Sequence, residues 1–285
     1  MEALQKAAEE NNCRISQLVL KQQAVQMELT ECEVYEKMQE NYRVMASCIE
    51  PGSDRNLKST SGLTGGDAYR MRQAVENGKN LTGPLLGGAL YRALAVSELN
   101  AAMGRIVAAP TAGSCGIVPA AILTMQEQYQ LEERECVMAL FTASAVGMVI
   151  ANNASLAGAQ GGCQAECGTA SAMAAAAAVE LAGGSPEAAI NAAAMVIKNV
   201  LGLVCDPVAG LVEVPCVKRN AMGASLALVC ADMALAGITS RIPMDDVIMA
   251  MDMVAHALPV SLKETALGGL AATPSGQEIE KRVHS

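Results

Sequence analysis

Apolar residues along this chain group at helical spacing, and the strict alternation of a half-buried strand is scarce. Residues 1 to 50 carry most of the charge density and no proline, with apolar positions at Leu18, Val19, Val25, Leu29, Val34, Met38 and Met45. That pattern predicts one or two amphipathic helices laid over a core. Pro51-Gly52-Ser53-Asp54 stops them, and a Gly/Ser/Thr-rich stretch runs from Ser61 to Asp67. Beyond it, helical patterns over 67–78, 84–103, 116–130, 133–151, 164–182, 186–200, 219–237 and 244–257 alternate with glycine loops. Ser185-Pro186-Glu187 offers an N-cap, a proline at the first helical position and an early acid, and Pro243 with Asp245 and Asp246 repeats the device. The alanine run 174–178, flanked by Met173, Val179 and Leu181, reads as a helix with a narrow waist suited to tight packing. No internal repeat is visible. The expectation is an all-α chain: a helical arm over 1–50 and a single large helical domain with glycine-rich loops over 51–285.

Composition supports that reading. Hydrophobic residues make up 52% of the chain but aromatics only 2%, so the core must be built from Ala, Leu, Val, Ile and the 17 Met, which favours close-packed helices. A net charge of −9 without any Lys/Arg-rich run excludes nucleic acid as a partner. The uncharged run from Cys136 to Ala165 is 30 residues long, against the roughly 20 needed to span a bilayer. Asn152, Asn153, Gln160, Gly161 and Gly162 interrupt it, so it reads as a buried helix and then a polar loop, with no membrane as partner. The charged start Met1-Glu2-Ala3-Leu4-Gln5-Lys6 lacks the basic and apolar regions of a signal peptide, which makes the cytoplasm the expected location.

In that compartment the ten cysteines are expected as free thiols or metal ligands rather than disulfides. Cys13, Cys32, Cys48, Cys136 and Cys230 fall in helical stretches, where a free cysteine behaves as a small buried apolar side chain. Cys163, Cys205 and Cys216 fall in turns, after Gly161-Gly162, before Asp206-Pro207 and after Pro215. Cys163 and Cys167 are four apart, so on a helix they share a face. Four thiolates including Cys167 would make a closed zinc or cluster site; three would leave a cluster with an open position. Spacing alone does not choose, since no Cys-x-x-Cys pair exists.

Two loops are candidates for a small anion. Ala109 to Pro119 is rich in glycine and hydroxyls and opens a helix, so Thr111, Ala112, Gly113 and Ser114 could receive a carboxylate at a helix N-terminus. Ser61, Thr64 and Gly65 lie in the second such loop. A serine nucleophile at Ser114 lacks a base, because neither His256 nor His284 lies in a punctuated motif; His256 reads as a packed helix residue.

Five stretches together resemble one family: Ser61 to Asp67, Asn100 to Pro119, Gly162-Cys163-Gln164-Ala165-Glu166, Cys205-Asp206-Pro207 through Pro215-Cys216, and Lys263-Glu264-Thr265 through Ala271. They are similar to the α chain of the iron–sulfur-dependent L-serine dehydratases. The resemblance implies an all-helical catalytic domain holding a [4Fe–4S] cluster through Cys163, Cys205 and Cys216. It implies an iron without a protein thiolate that acts as a Lewis acid on the serine hydroxyl, so that elimination yields pyruvate and ammonia without pyridoxal phosphate. It further implies a separate β chain and an oligomeric assembly. Lys263 and Glu264 are the candidate bases, and the two glycine loops the seat of the substrate carboxylate. A cluster-dependent cysteine desulfidase, or a non-catalytic module with a closed four-cysteine site, remains the competing reading.

Overall fold

A computed structural model describes residues 1–285, and its regular structure is helical throughout. The helices are α1 (Glu2–Glu10), α2 (Ile15–Gln26), α3 (Glu31–Ser47), α4 (Ile49–Gly52), α5 (Asp67–Glu76), α6 (Gly83–Ala101), α7 (Ile117–Tyr129), α8 (Glu133–Asn153), α9 (Gly158–Gly161), α10 (Cys163–Leu181), α11 (Pro186–Val200), α12 (Cys216–Leu235), α13 (Met244–Ala257) and α14 (Pro274–Val283). The only bridge joins Cys205 to Lys263 in parallel sense. The chain is all-α, as its patterning predicts, and the eight helices expected after residue 66 begin and end within three residues of the observed ones.

Three regions differ from expectation, and the simplest is the short α9, which falls in the stretch expected as a polar loop. The first 50 residues break into more helices than the one or two predicted, because Asn12 and Glu28 adopt positive φ (47° and 55°) and Thr30 starts α3 afresh by accepting from Glu33 N. Helix α14 has few apolar positions to announce it; Thr273 Oγ1 caps it by accepting from Gly276 N at 3.1 Å, and Pro274 occupies its first position.

Helix α10 is the axis of the molecule. Ala174 to Ala177 are each 0% exposed and Ala178 is 2% exposed, and α7, α8, α11 and α12 all pack against this helix. Alanine makes that convergence possible, since its methyl lets neighbouring backbones approach while contributing the highest helix propensity. Helix α8 alone is long and apolar enough to cross a membrane, and 61% of its most apolar window is buried inside this bundle. Helix α2 lies across α8 through buried Ile15, Val19, Leu20 and Ala24.

Buried polar groups tie the elements that carry the loops. Glu98 on α6 is 1% exposed and accepts from Asp67 N at 3.0 Å and Ala68 N at 3.1 Å, which caps α5 from outside and anchors the end of the 61–66 loop. Asn220 on α12 donates to Gly113 O at 2.7 Å and accepts from Gly116 N at 2.9 Å, fastening the 111–116 loop to α12.

Candidate metal centre

Three chain segments deliver sulfur to one place. Cys163 is the first residue of α10 and Cys216 the first of α12, preceded by Gly162 and Pro215. Sequence reading places both in turns barred from helix. Gly162 and Pro215 instead stand at the N-cap positions, so each thiol occupies the first turn of a long helix, where the backbone dipole and unpaired N–H groups favour a thiolate. Cys205 lies in an extended stretch that donates from its N–H to Leu262 O at 2.9 Å and accepts at its carbonyl from Glu264 N at 2.7 Å. Cys163, Cys205 and Cys216 are 2%, 3% and 6% exposed.

The segment before Cys205 is held from several sides. Gln164, fully buried, accepts from Gly202 N at 2.9 Å and donates to Met251 O at 3.1 Å, and its own N–H reaches Leu203 O at 2.9 Å. Arg219, one turn into α12 from Cys216, donates to Val204 O at 2.8 Å and to Asp206 Oδ1 at 2.9 Å. Asp206 Oδ2 in turn accepts from Leu270 N at 2.8 Å. The sulfur positions are therefore set by the fold rather than by a flexible loop.

Charge among these sulfurs is concentrated on one atom. Hydrogen bonds from the Cys167 and Cys205 thiols, with Arg219 beside them, hold Cys163 well below the ordinary thiol range despite its burial. The same contact with Cys163, followed by burial, pushes Cys167 and Cys205 upward. Burial and then the charge of Cys163 push Cys216 to about 12. Protein alone thus supports one thiolate among several buried sulfurs. A soft cation would draw the remaining protons off, which is the behaviour of a ligand set, and thiolate softness suits zinc or iron–sulfur.

Space is kept beside the sulfurs. A Cβ at Gly158 would fall 2.8 Å from Cys205 Sγ, 3.3 Å from Glu166 Oε2 and 3.4 Å from Glu264 Oε2. The tightest group of potential ligands is Cys163, Glu166 and Cys167, whose ligand atoms lie within 4.8 Å of one another. Cys163 and Cys167 sulfurs are 3.3 Å apart, so Cys167 stands at the site and not merely on the same helix face. These residues form a small sulfur and carboxylate cluster fit to bind a metal.

The expected substrate loops behave differently from each other. Thr111 donates its hydroxyl to Glu166 Oε1 and lies 3.2 Å from Ser114 Oγ, so this loop meets the cluster. A Cβ at Gly113 would fall 2.5 Å from Glu166 Oε1, which explains the glycine; Ala112 is exposed and Ser114 fully buried. In the other loop, Ser61 donates to Glu213 Oε1 at 2.8 Å and Thr64 to Glu213 Oε2 at 2.9 Å. Gly65 holds φ at 135°, and its missing Cβ would fall 2.2 Å from Leu57 O, so only glycine lets the chain pass there.

The adjacent Lys263 and Glu264 part company. Glu264 has φ of 60°, a strained conformation outside glycine, and its carboxylate faces Gly158 and the sulfurs. Lys263 lines a separate cavity of about 1000 Å³ together with Gln160, Asp252 and His256. His256 is not packed: its side chain is 79% exposed and 3.4 Å from Asp252 Oδ2. Cys13 and Cys32 also depart from the buried reading, being half-buried and exposed, because Cys13 falls between α1 and α2 and Cys32 on the outer face of α3. Cys115 is a core thiol, 1% exposed and pushed by burial to about 12.

Sequence reasoning gave no role to Glu166, Glu213, Arg219 or Asn220. Burial, resisted by the Thr111 hydrogen bond and reinforced by the nearby charges of Cys163 and Glu264, pushes Glu166 up to about 7. Its signal was available: it follows Cys163 by three residues in the first turn of the same helix, as Arg219 follows Cys216.

Comparison with known proteins accords with this geometry. A family model described as serine dehydratase alpha chain matches residues 10–271. The chain is 52% identical over 274 residues to a probable L-serine dehydratase, alpha chain, of Bacillus subtilis, covering 96% of this chain and 91% of that one. It is 43% identical to the L-serine dehydratase, alpha chain, of Peptoniphilus asaccharolyticus, over 95% and 93% of the two chains. It is also 38% identical to L-serine dehydratase 2 of Escherichia coli, where the match covers 94% of this chain and 60% of the longer relative. With its sulfur cluster on the N-termini of two long helices, the chain belongs to the serine dehydratase alpha chain family.

Proposed function

We propose that this chain is the catalytic α chain of an L-serine dehydratase, holding a [4Fe–4S] cluster through Cys163, Cys205 and Cys216 and converting L-serine to pyruvate and ammonia. The observation that carries this reading is the convergence of three buried thiols from separate segments beside two carboxylates, Glu166 and Glu264. A cluster so held supplies Lewis acidity toward the substrate's β-hydroxyl. The 111–114 loop takes the substrate carboxylate against its hydroxyls and the start of α7. Glu264 Oε2 accepts the α-proton. The Glu166 carboxyl, bridged to Thr111, stands on the same space to hand a proton to the departing hydroxyl, which leaves as water; Glu264 keeps the α-proton, and passing a proton back to Glu166 resets the site. The resulting aminoacrylate tautomerises to the imine, and a second water releases ammonium and pyruvate, balancing serine against the two products.

A β chain completes the enzyme in this reading. Two things support it: the relatives matched over 91% and 93% of their length are named alpha chains, and the longer relative extends well beyond the part this chain matches. The test is anaerobic reconstitution with iron and sulfide, followed by pyruvate release from L-serine with and without the β chain. Iron-dependent pyruvate formation that is lost in Glu264→Gln and kept in Lys263→Ala is the expected result; absence of iron uptake overturns the reading. The 3.3 Å contact between Cys163 and Cys167 favours one rival, a closed four-thiolate site without catalysis. Cys167→Ser decides it: a cluster that survives this change, and whose spectrum shifts on adding serine, has an open position. Sulfide release from L-cysteine in the same assay would instead identify a desulfidase.

A further inference from the structure

Glu213 is 5% exposed, so its carboxylate has been taken from water, and what replaces the water is the pair of hydroxyls from Ser61 and Thr64 at 2.8 and 2.9 Å. The loop offering them is closed on itself. Thr64 N donates to Ser59 Oγ at 3.2 Å, Leu63 N to Ser61 Oγ at 3.1 Å and Ser59 N to Thr64 O at 2.9 Å. Its far end is fixed where Glu98 caps α5. On the other side, Glu213 O accepts from Val217 N at 3.0 Å, a bond that ties the turn to the first residues of α12, and Val214 O accepts from Val208 N at 2.8 Å. A rigid loop therefore grips, through one carboxylate, the turn from which Cys216 projects three residues later.

We propose that Ser61, Thr64 and Glu213 form a buried lock that positions the Cys216 sulfur, and that the two hydroxyls act through Glu213 rather than on the substrate's carboxylate. The importance of that position rests on the reading of Cys216 as a cluster ligand. Ser61, Thr64 and Glu213 are positioning residues: none needs to touch substrate. Each hydroxyl has a single proton to donate and gives it to Glu213, which leaves the Ser61 and Thr64 side chains no donor for a second anion.

The full chain with Glu213→Ala, Glu213→Gln, Ser61→Ala, Thr64→Val and Thr64→Ser tests the lock by two readouts. The first is independent of any cluster: N-ethylmaleimide labelling of metal-free chain, followed peptide by peptide. Cys216 should react roughly tenfold faster in Glu213→Ala, about the effect of losing buried hydrogen-bond partners, while fully buried Cys136 keeps its rate. The second is iron and sulfide content after anaerobic reconstitution, with the KM for L-serine on the loaded fraction. Cluster content should fall in Glu213→Ala and Thr64→Val, recover in Glu213→Gln and Thr64→Ser, and leave KM unchanged. Unaltered Cys216 labelling overturns the proposal, as does a Ser61→Ala enzyme with full iron content and a KM raised tenfold. If Cys136 also becomes reactive in Glu213→Ala, that variant has lost its fold, and Ser61→Ala, which removes the bonds to Glu213 and from Leu63 N but leaves the carboxylate paired with Thr64, decides on the same criteria. Should the unaltered chain take up no iron, the proposed function falls, while Cys216 labelling still decides the lock.

Discussion

Two stretches of α10, its first turn and its middle, lie in the same bundle and do opposite things. Its first turn carries Cys163, Glu166 and Cys167, with Thr111, Arg219 and Cys205 drawn in from three other segments. Its middle, Ala174 to Ala178, carries nothing polar at all and is 0–2% exposed. The difference teaches how the centre is made: the alanine waist lets four helices close on one axis and immobilises it, and the helix N-terminus so fixed becomes a platform where charge is tolerated. Neither stretch accounts for the other's burial. The middle is dry because small side chains fit, and the first turn is dry because each polar group there has a partner.

The largest effect should come from removing the platform's charge. Cys163→Ser replaces the one sulfur held as a thiolate by a hydroxyl that stays protonated at any working pH. Iron affinity should fall by at least about 100-fold, beyond the loss seen when only supporting groups of a metal site change. Iron content after anaerobic reconstitution measures it. Unfolding in denaturant should move little, because the waist is untouched; a matching loss of stability would mean that the two stretches are one unit.

Glu166 sharpens the contrast through pH. Its folded carboxyl lies at about 7 against an ordinary value of 4.5, so the fold binds a proton that the unfolded chain has released. Stability from this group is fully present below about pH 4.5 and is lost as pH rises through 7. The loss is at most about 3 kcal/mol. Cys163, shifted downward, contributes a slope of opposite sign at higher pH, so the quantity to measure is the difference between the unaltered metal-free chain and Glu166→Gln. That difference should narrow or reverse between pH 5 and pH 8. A flat difference would show that the Glu166 carboxyl sits in a wetter setting than its contacts with Thr111 and Gly113 describe.

The waist should respond to size alone. Ala176→Leu adds three carbons where exposure is 0%, and overpacking of this kind costs about 1–3 kcal/mol. Chemical denaturation should register the cost, while the iron content of the folded fraction stays as before. A cluster lost together with stability would mean that strain travels the length of α10 into its first turn.

The two stretches were not equally legible in sequence. The waist was, because alanine between Met173 and Val179 has helical propensity and no polar group to satisfy, so local preference and packing agree. The eight helices expected between residues 67 and 257 were legible for the same reason, and the short α9 and the polar α14 were not. The first turn was only half legible. Cys163 and Cys216 stood out by their glycine and proline neighbours, but those neighbours read as breakers when they are N-caps, since a cap and a break share the same residues. Glu166, Glu213 and Arg219 act through partners 13 to 152 positions away, and no periodicity records such pairings. Ser61 and Thr64 show the limit most clearly: a hydroxyl-rich loop announces that it will hold an anion, and the anion it meets here belongs to Glu213.

The smallest effect is expected from His256, and it tests where the platform ends. His256 lies near the C-terminus of α13 on the same outer cavity as Lys263, and by composition it is the histidine one would suspect of acid–base work. Its ring is 79% exposed, and it pairs with Asp252 on its own helix, so it lacks both the burial of Cys163 and the cross-element partner that Glu166 has in Thr111. His256→Ala should change stability by less than about 0.5 kcal/mol, as surface substitutions do, and leave pyruvate formation within about twofold, a difference under half of the 1.4 kcal/mol that marks a tenfold rate. A larger loss of activity with intact iron content would move the reacting space outward past Gly158 into that cavity. Lys263 would then return as the base, and the opposition between the two stretches of α10 would describe only where the metal is held and not where the proton goes.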